Sequence, residues 1–396
     1  MSRVGKPINS VKFWVLASVL VAITGCGGGG GDSGGPQTAT GVFKDANVGG
    51  MTFSSGSQSG TTSADGSFLY EVGKSVTFSV GGVTLGSTTG KSVVTPLDLV
   101  TNASTSTPQV QNIVRFLLML DTDGDPSNGI SISPLVQSAA GSWPPVDFTA
   151  ANLATELTTI VADVATANGV AHTLPDAVTA QSHVQATLSC IRSGGYRGSY
   201  TGTDSGPFGV VIDATTGIVS GVAFSNEDDE LIVLTGTAAV SPNQSASFVT
   251  GSTSTGATFS GSISGADQIA GTWQLPPGES GTFTGSRVGG SANAVYRFTG
   301  LFTGDASGFF TFDVNAANVV SGVAYTVTAQ AEPGLVVNEV IGLNGTLSGT
   351  SLSATTSDGD GSMTGTLSTT NGTLTGNWTD TDGNSGTFTG SGCKLN

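Results

Sequence analysis

Residues 280–286 read Ser280-Gly281-Thr282-Phe283-Thr284-Gly285-Ser286, and the same seven return at 385–391 as Ser385-Gly386-Thr387-Phe388-Thr389-Gly390-Ser391. Outward from this pair the match continues. Gly271-Thr272-Trp273 corresponds to Gly376-Asn377-Trp378, and Ser220-Gly221-Val222-Ala223-Phe224 to Ser321-Gly322-Val323-Ala324-Tyr325. The offset grows from about 100 to about 105, so the second copy carries a small insertion, and such a period marks a duplicated domain rather than a solenoid turn. Each copy, 193–290 and 291–396, divides at Gly, Asn and Asp turns into roughly eight short strands. In the first copy Phe259, Gly261 and Ile263 face one way while Thr258, Ser260 and Ser262 face the other, and Ile269, Gly271, Trp273 and Leu275 repeat the pattern. Large aromatics alternating with Gly on one face suit the taper of a small antiparallel up-and-down barrel with Thr and Ser outside. A transmembrane barrel needs strands of about 9 to 11 residues, and these offer about seven.

The whole chain has 396 residues, too many for one ordinary core, which predicts two to four domains. Only 10% of residues are charged, and 18 Phe, 5 Tyr and 4 Trp supply enough apolar bulk to exclude general disorder. The net charge is -16, and removal of Arg3, Lys6 and Lys12 with an N-terminal signal makes it -19. A phosphate backbone would find nothing to replace its counterions, so nucleic acid is not an expected partner.

Those three bases precede an apolar run, Phe13 to Ile23, of the length of a signal peptide and too short for a membrane span. Val21-Ala22-Ile23-Thr24-Gly25-Cys26 resembles the lipobox of bacterial lipoproteins. That resemblance implies cleavage after residue 25 and diacylation of Cys26. Gly27 after the cysteine favours the outer membrane by the same resemblance. Residues 26–37 then form a Gly-rich tether. With Cys26 lipidated, Cys190 and Cys393 remain as an even pair in an oxidising compartment and are predicted to be bonded.

Residues 38–100 read as a small β-sandwich. Strand-like runs at 51–53, 67–70, 75–80 and 83–85 are separated by turns, of which Asp65-Gly66 is the strongest hairpin signal. Gly60-Thr61-Thr62-Ser63-Ala64-Asp65-Gly66-Ser67-Phe68-Leu69-Tyr70 resembles a signature of carboxypeptidase-regulatory-like and prealbumin-like β-sandwiches. Residues 101–192 are helical. Thr107 and Pro108 open a helix carrying Val110, Ile113, Val114, Leu117 and Leu120 on one face. A second begins near Thr149 and ends at Asn168-Gly169, and a third covers about 175–191. The fold class is therefore mainly β: an N-terminal sandwich, a helical middle segment and two tandem barrel-like repeats.

The best metal candidate is the loop bearing Asp121, Asp123, Asp125 and Asn128, whose alternate carboxylates suit a hard cation such as Ca²⁺. It departs from an EF-hand, with Gly124 at position 4, Pro126 at position 6 and Ile132 at position 12. The alternative is an Asp-rich turn satisfying its own backbone. The clusters Glu227 to Glu230, Asp358/Asp360 and Asp380/Asp382 read as solvated turns. His172 and His183, the two histidines, suit packing or capping, and the sequence contains no nucleophile elbow, zinc spacing, phosphate loop or dinucleotide fingerprint. No cofactor is firmly implied. Trp273, Phe283, Trp378 and Phe388 are either core fillers or the floor of an apolar pocket.

The lipobox, the tether, the 60–70 stretch, the run Arg115 to Ile130 and the Gly-Thr-Phe-Thr-Gly copies together resemble a family of proteobacterial cell-envelope lipoproteins that brings no catalytic residues with it. The expected function is a non-catalytic, outer-membrane-anchored binding or scaffold protein. Its partners are the membrane, through the lipid, and an envelope or extracellular protein or glycan. The rival is a carrier of a small apolar ligand inside a C-terminal barrel: a binding scaffold should have filled barrels, whereas a carrier requires an enclosed cavity of about 300 Å³ or more lined by the repeated aromatics. An envelope hydrolase using paired carboxylates is a third reading.

Overall fold

The computed structural model describes residues 35–240, 246–264, 267–291, 293–327 and 339–395; the signal, Cys26 and most of the tether lie outside it. The chain is mainly β. The first part contains β1 (Thr38–Phe43), β2 (Val48–Gly49), β3 (Thr52–Ser55), β4 (Gln58–Thr61), β5 (Ser67–Glu71), β6 (Ser75–Val80), β7 (Val83–Thr89) and β8 (Val93–Val94). They form a three-stranded sheet, β5-β1-β8, and a four-stranded sheet, β4-β3-β6-β7. Phe43, Phe53, Phe68 and Phe78 meet in the core, Phe68 and Phe78 edge to face at 5.0 Å. The Asp65-Gly66 turn does not close a hairpin between paired strands. The β4 strand pairs with β3 and β5 pairs with β1, so this turn carries the chain from one sheet to the other. Its local chemistry is nonetheless as read: Gly66 has φ +80° and Asp65 accepts from the Ser67 amide at 2.9 Å.

Helix α1 (Pro108–Leu120) buries the predicted stripe completely. Thr107 holds the N-cap position, but its hydroxyl accepts from Ser104 N instead of from the first turn. The strand β9 (Ile130–Ser131) pairs with β2, and α2 (Pro134–Ala140) follows, an unpredicted helix with Ser133 as its cap and Pro134 at its first position. The expected second helix is two, α3 (Leu153–Glu156) and α4 (Thr158–Asn168), broken at Leu157 and stopped by Gly169 in the left-handed region. The third is α5 (Ala177–Arg192). One core runs unbroken from Phe43 to Val164, so the sandwich and the first four helices share an interior. A second cluster joins α1 to α5 through Val110, Val114, Ala180 and Val184.

The first barrel contains β10 (Gly194–Gly202), β11 (Gly206–Ile212), β12 (Ile218–Ser225), β13 (Glu230–Val240), β14 (Ala246–Thr253), β15 (Thr258–Ser264), β16 (Gln268–Leu275) and β17 (Glu279–Val288). The second contains β18 (Ala294–Gly304), β19 (Ser307–Asn315), β20 (Val319–Val327), β21 (Glu339–Ser348), β22 (Ser351–Thr356), β23 (Gly361–Ser368), β24 (Thr373–Asp380) and β25 (Ser385–Lys394). Each pairs neighbour to neighbour and closes first strand on last, β10 on β17 and β18 on β25. Several strands reach nine to eleven residues, so strand length does not separate these barrels from transmembrane ones. Polarity does: the bores are lined by apolar residues, the reverse of the polar interior of a lipid-facing barrel. No described helix is long and apolar enough to cross a membrane.

The barrels share an apolar contact made by the outer faces of β11, β12, β19 and β20, where Val211 and Val222 meet Phe309 and Tyr325. Polar contacts flank it: Ala214 N donates to Thr299 Oγ1 and Ser391 Oγ to Asp213 Oδ2. The Cys190–Cys393 disulfide, with Cα atoms 5.7 Å apart, ties the end of α5 to β25.

Candidate functional site

Strand pairing gives an internal comparison of the two interiors. Tyr200 pairs with Phe283 in the first barrel as Phe302 pairs with Phe388 in the second. Trp273 donates its indole N–H to the Thr201 carbonyl at 3.1 Å, and Trp378 does the same to Thr303 at 3.1 Å. The rings of Phe283 and Phe388 lie over glycines, Gly261 and Gly271 in one copy and Gly365 and Gly376 in the other, where a Cβ would stand 2.9 Å or less from the ring. These glycines are inward positions emptied so that a ring from a neighbouring strand can cross the bore. The four repeated aromatics thus hold equivalent places.

The bores they line differ. In the second barrel Phe312 stacks between Phe298 and Phe310, with centroids 5.7 and 5.6 Å apart, and Leu347, Leu352 and Ala354 complete a filled core. Register places Val210 where the second barrel has Phe312, because Tyr196 faces Val210 across β10 and β11 as Phe298 faces Phe312 across β18 and β19. Likewise Ala238, Val249 and Gly251 stand for Leu347, Leu352 and Ala354. Four inward side chains are each smaller, and the first barrel retains a cavity of about 180 Å³. Trp273 and Phe283 line it, with Tyr200, Phe259, Val210 and Val249. Trp378 and Phe388 are packed against the second core, Phe388 edge to face with Phe310 at 5.8 Å.

The cavity opens at the end that carries the β10–β11, β12–β13, β14–β15 and β16–β17 turns. Asp204, Asp228, Glu230 and Glu279 stand at this mouth, and none of the lining residues is basic. Tyr200 donates its hydroxyl to Asp204 Oδ2 at 2.7 Å, and burial together with this bond pushes the phenol well above its ordinary pKa. Asp204 Oδ1 accepts from Ser205 N. The acidic turn that the sequence presents as plain solvated surface therefore forms part of a cavity rim.

The opposite end is closed by an anchor that the sequence did not reveal. Arg287 of β17 donates to the carbonyls of Ile191 and Ser193, and Arg297 of β18 donates to Ser193 O at 3.2 Å. Tyr196 donates to Arg192 O at 3.0 Å, with the Arg287 guanidinium 5.1 Å from its ring centre. Two cations thus cap the negative end of α5. Arg297 is also held by Asp313 in a buried fork at 2.8 and 3.0 Å.

The remaining sequence candidates are placed as follows. Asp121 is fully buried, accepts from Ser131 N through Oδ1, and is pushed up to about 6 chiefly by burial. Asp123 accepts from Asp125 N and from Asn128 Nδ2, and Asp125 accepts from Ser127 N. Each of these carboxylates thus accepts from a donor of the loop, while Asp121 Oδ2 is buried without a partner, and among the described residues no three His, Cys, Asp or Glu side chains gather as a metal set. Asp358 and Asp380 likewise cap their own hairpin turns. His172 bridges the Met119 carbonyl and the Asn168 amide, and His183 Nε2 lies 3.3 Å from the buried Asp45.

No protein-family model and no curated protein matches the chain. Among solved structures, the chain has likeness to transferrin binding protein B from Haemophilus parasuis Hp5, a Trp-176-Ala mutant, at 10% identity, covering 51% of this chain and 76% of that one with a TM-score of 0.17. A putative AttH from Nitrosomonas europaea is similar at 9% identity over 50% of this chain and 91% of that one, with a TM-score of 0.20.

Proposed function

We propose that this is a lipid-anchored, non-catalytic binding protein of the cell envelope. In this reading the disulfide-locked barrel pair is the rigid head and the first barrel is its receptor. One observation carries it: of two barrels with the same closure and the same repeated aromatics, one is filled and the other is open and hollow. At about 180 Å³ the cavity falls short of the roughly 300 Å³ of a drug-sized site. It matches instead the scale of an apolar cavity of about 150 Å³ that admits a single benzene ring. The occupant is therefore one compact apolar group, either a free small molecule or the end of a larger envelope component, rather than a bulky enclosed cargo. The test is calorimetric titration of the whole protein with 2-phenylethanol. Saturable heat that disappears in Val210→Phe supports the reading, and heat that is absent or indifferent to that substitution overturns it.

A further inference from the structure

The rim specifies the ligand further than the cavity does, and this step rests on the reading just given. We propose that the open end of the first barrel selects a small organic cation, an ammonium group carrying a compact aryl or branched-alkyl head. Four carboxylates stand at the mouth and no base does, so the potential there is negative and focused by the apolar wall behind it. Asp204 has its two oxygens on the Tyr200 hydroxyl and the Ser205 amide. Asp228, Glu230 and Glu279 have no side-chain hydrogen bond or ion pair among the described residues and are free to receive N–H donors. Directly below lie Tyr200, Phe259 and Trp273, whose ring faces attract a cation and whose bulk receives an apolar head.

The second barrel is again the comparison. Register replaces Tyr200 by Phe302, Asp204 by Ala306 and Glu279 by Asn384, so the filled barrel lacks these three groups. Near the mouth of the second barrel, Asp380 accepts from the Asn384 amide and side chain, Asp305 from Ser385 N and Asp358 from Asp360 N, while Asp360 and Asp382 also stand in its turns. The first barrel thus combines a cavity with carboxylates at its mouth, and it is the cavity that its duplicate replaces, filling the bore with Phe298, Phe310 and Phe312. A purely apolar site has no use for the second feature.

Three probes of similar shape decide the matter by calorimetry on the whole protein: 2-phenylethylammonium, neutral 2-phenylethanol and anionic 3-phenylpropanoate. The proposal expects the cation to bind at least tenfold more tightly than the alcohol and the anion to give no heat. It also expects the cation's preference to shrink with added salt and to fall severalfold in Asp204→Asn and in Glu279→Gln. Equal affinity for cation and alcohol overturns the cation proposal and leaves the apolar receptor standing. No heat from any probe overturns both. Val210→Phe abolishes binding if the site is this cavity, and unchanged binding places the site elsewhere and overturns the proposal. Should that variant fail to fold, Val249→Leu, which also installs the second barrel's residue, takes its place.

Discussion

The disulfide gives the strongest quantitative expectation. Cys190 and Cys393 are 203 residues apart in sequence, and the bond closes a loop that contains both barrels almost entirely. Chain-entropy reasoning assigns a loop of that length about 5 kcal/mol, through the freedom it removes from the unfolded chain. The native contacts beside it, Arg287 and Arg297 on the α5 carbonyls, do not depend on the bond and should survive its loss. The double variant Cys190→Ala, Cys393→Ala is therefore expected to be folded and about 3 to 5 kcal/mol less stable. In urea, followed by tryptophan fluorescence, the midpoint should fall and the denaturant slope should rise, because the uncrosslinked unfolded chain exposes more surface. Reducing the native protein should reproduce the shift. Amide exchange should quicken most along β25 and the last turn of α5, where the linked ends meet. A loss below about 1 kcal/mol, or a variant whose barrels no longer close, would refute the assignment of this bond to the unfolded state's entropy.

The other expectations follow from single contacts. Arg297→Met leaves the buried Asp313 carboxylate without its fork and should cost about 3 to 5 kcal/mol, most of it regained in Arg297→Met, Asp313→Leu, as read by chemical denaturation. His183 is raised above its ordinary pKa because, although burial opposes the charge, Asp45 favours it more. Its contribution is present below the unfolded value of about 6.5 and lost as pH rises through the higher folded one, so urea midpoints should decline over that window and His183→Gln should flatten the decline. Asp121 acts in the same direction at lower pH: its carboxyl is raised to about 6, so native stability falls as pH climbs from the ordinary carboxylate range to 6, and Asp121→Asn should gain relative stability above that pH. Cys26→Ser should release the chain from the membrane fraction on cell fractionation. Val210→Phe, beyond abolishing ligand binding, should raise the denaturation midpoint, because Phe312 shows that the same closure accepts a ring there.

Much of this architecture is legible in sequence because barrel strands are local objects. Alternation set the inward face of β15 and β16, and an aromatic opposite Gly every second residue announced both the bore and its taper. The stripe on α1 was equally direct. Parity was enough to pair Cys190 with Cys393. What escaped needed register or tertiary partners. Tyr196-Arg197 matches Tyr296-Arg297 in sequence, yet pairing sets Tyr196 opposite Val210 as Phe298 is opposite Phe312, so the apparent repeat is two residues out. The offset of true equivalents is 101 at Val219 and Val320, 109 at Leu234 and Leu343, and 105 at Phe283 and Phe388. The exchange of Val210 for Phe312, which opens the cavity, is invisible until that shifting offset is known. Arg287 and Arg297 escaped for another reason, since their partners are backbone carbonyls and carbonyls leave no mark in a sequence.

A duplicated barrel can lose its filling only if something else carries the stability that the filling supplied. A void of about 180 Å³ costs on the order of 4 kcal/mol at about 24 cal/mol per Å³, an upper figure because this cavity is open to water. The disulfide returns about 5 kcal/mol. Neither copy holds that bond alone: it links the helix before the first barrel to the last strand of the second, so the hollow copy is closed within a loop completed by the filled one. The second barrel needs no ligand to explain its interior, being filled by Phe298, Phe310, Phe312 and Phe388. The first carries inward Val, Ala and Gly at positions where its own duplicate carries Phe, Leu and Ala, destabilising choices for a barrel that only has to fold. Val210 and Val249 line the cavity below the carboxylates of the mouth, the arrangement that the proposed receptor role requires, with the filled barrel as its support.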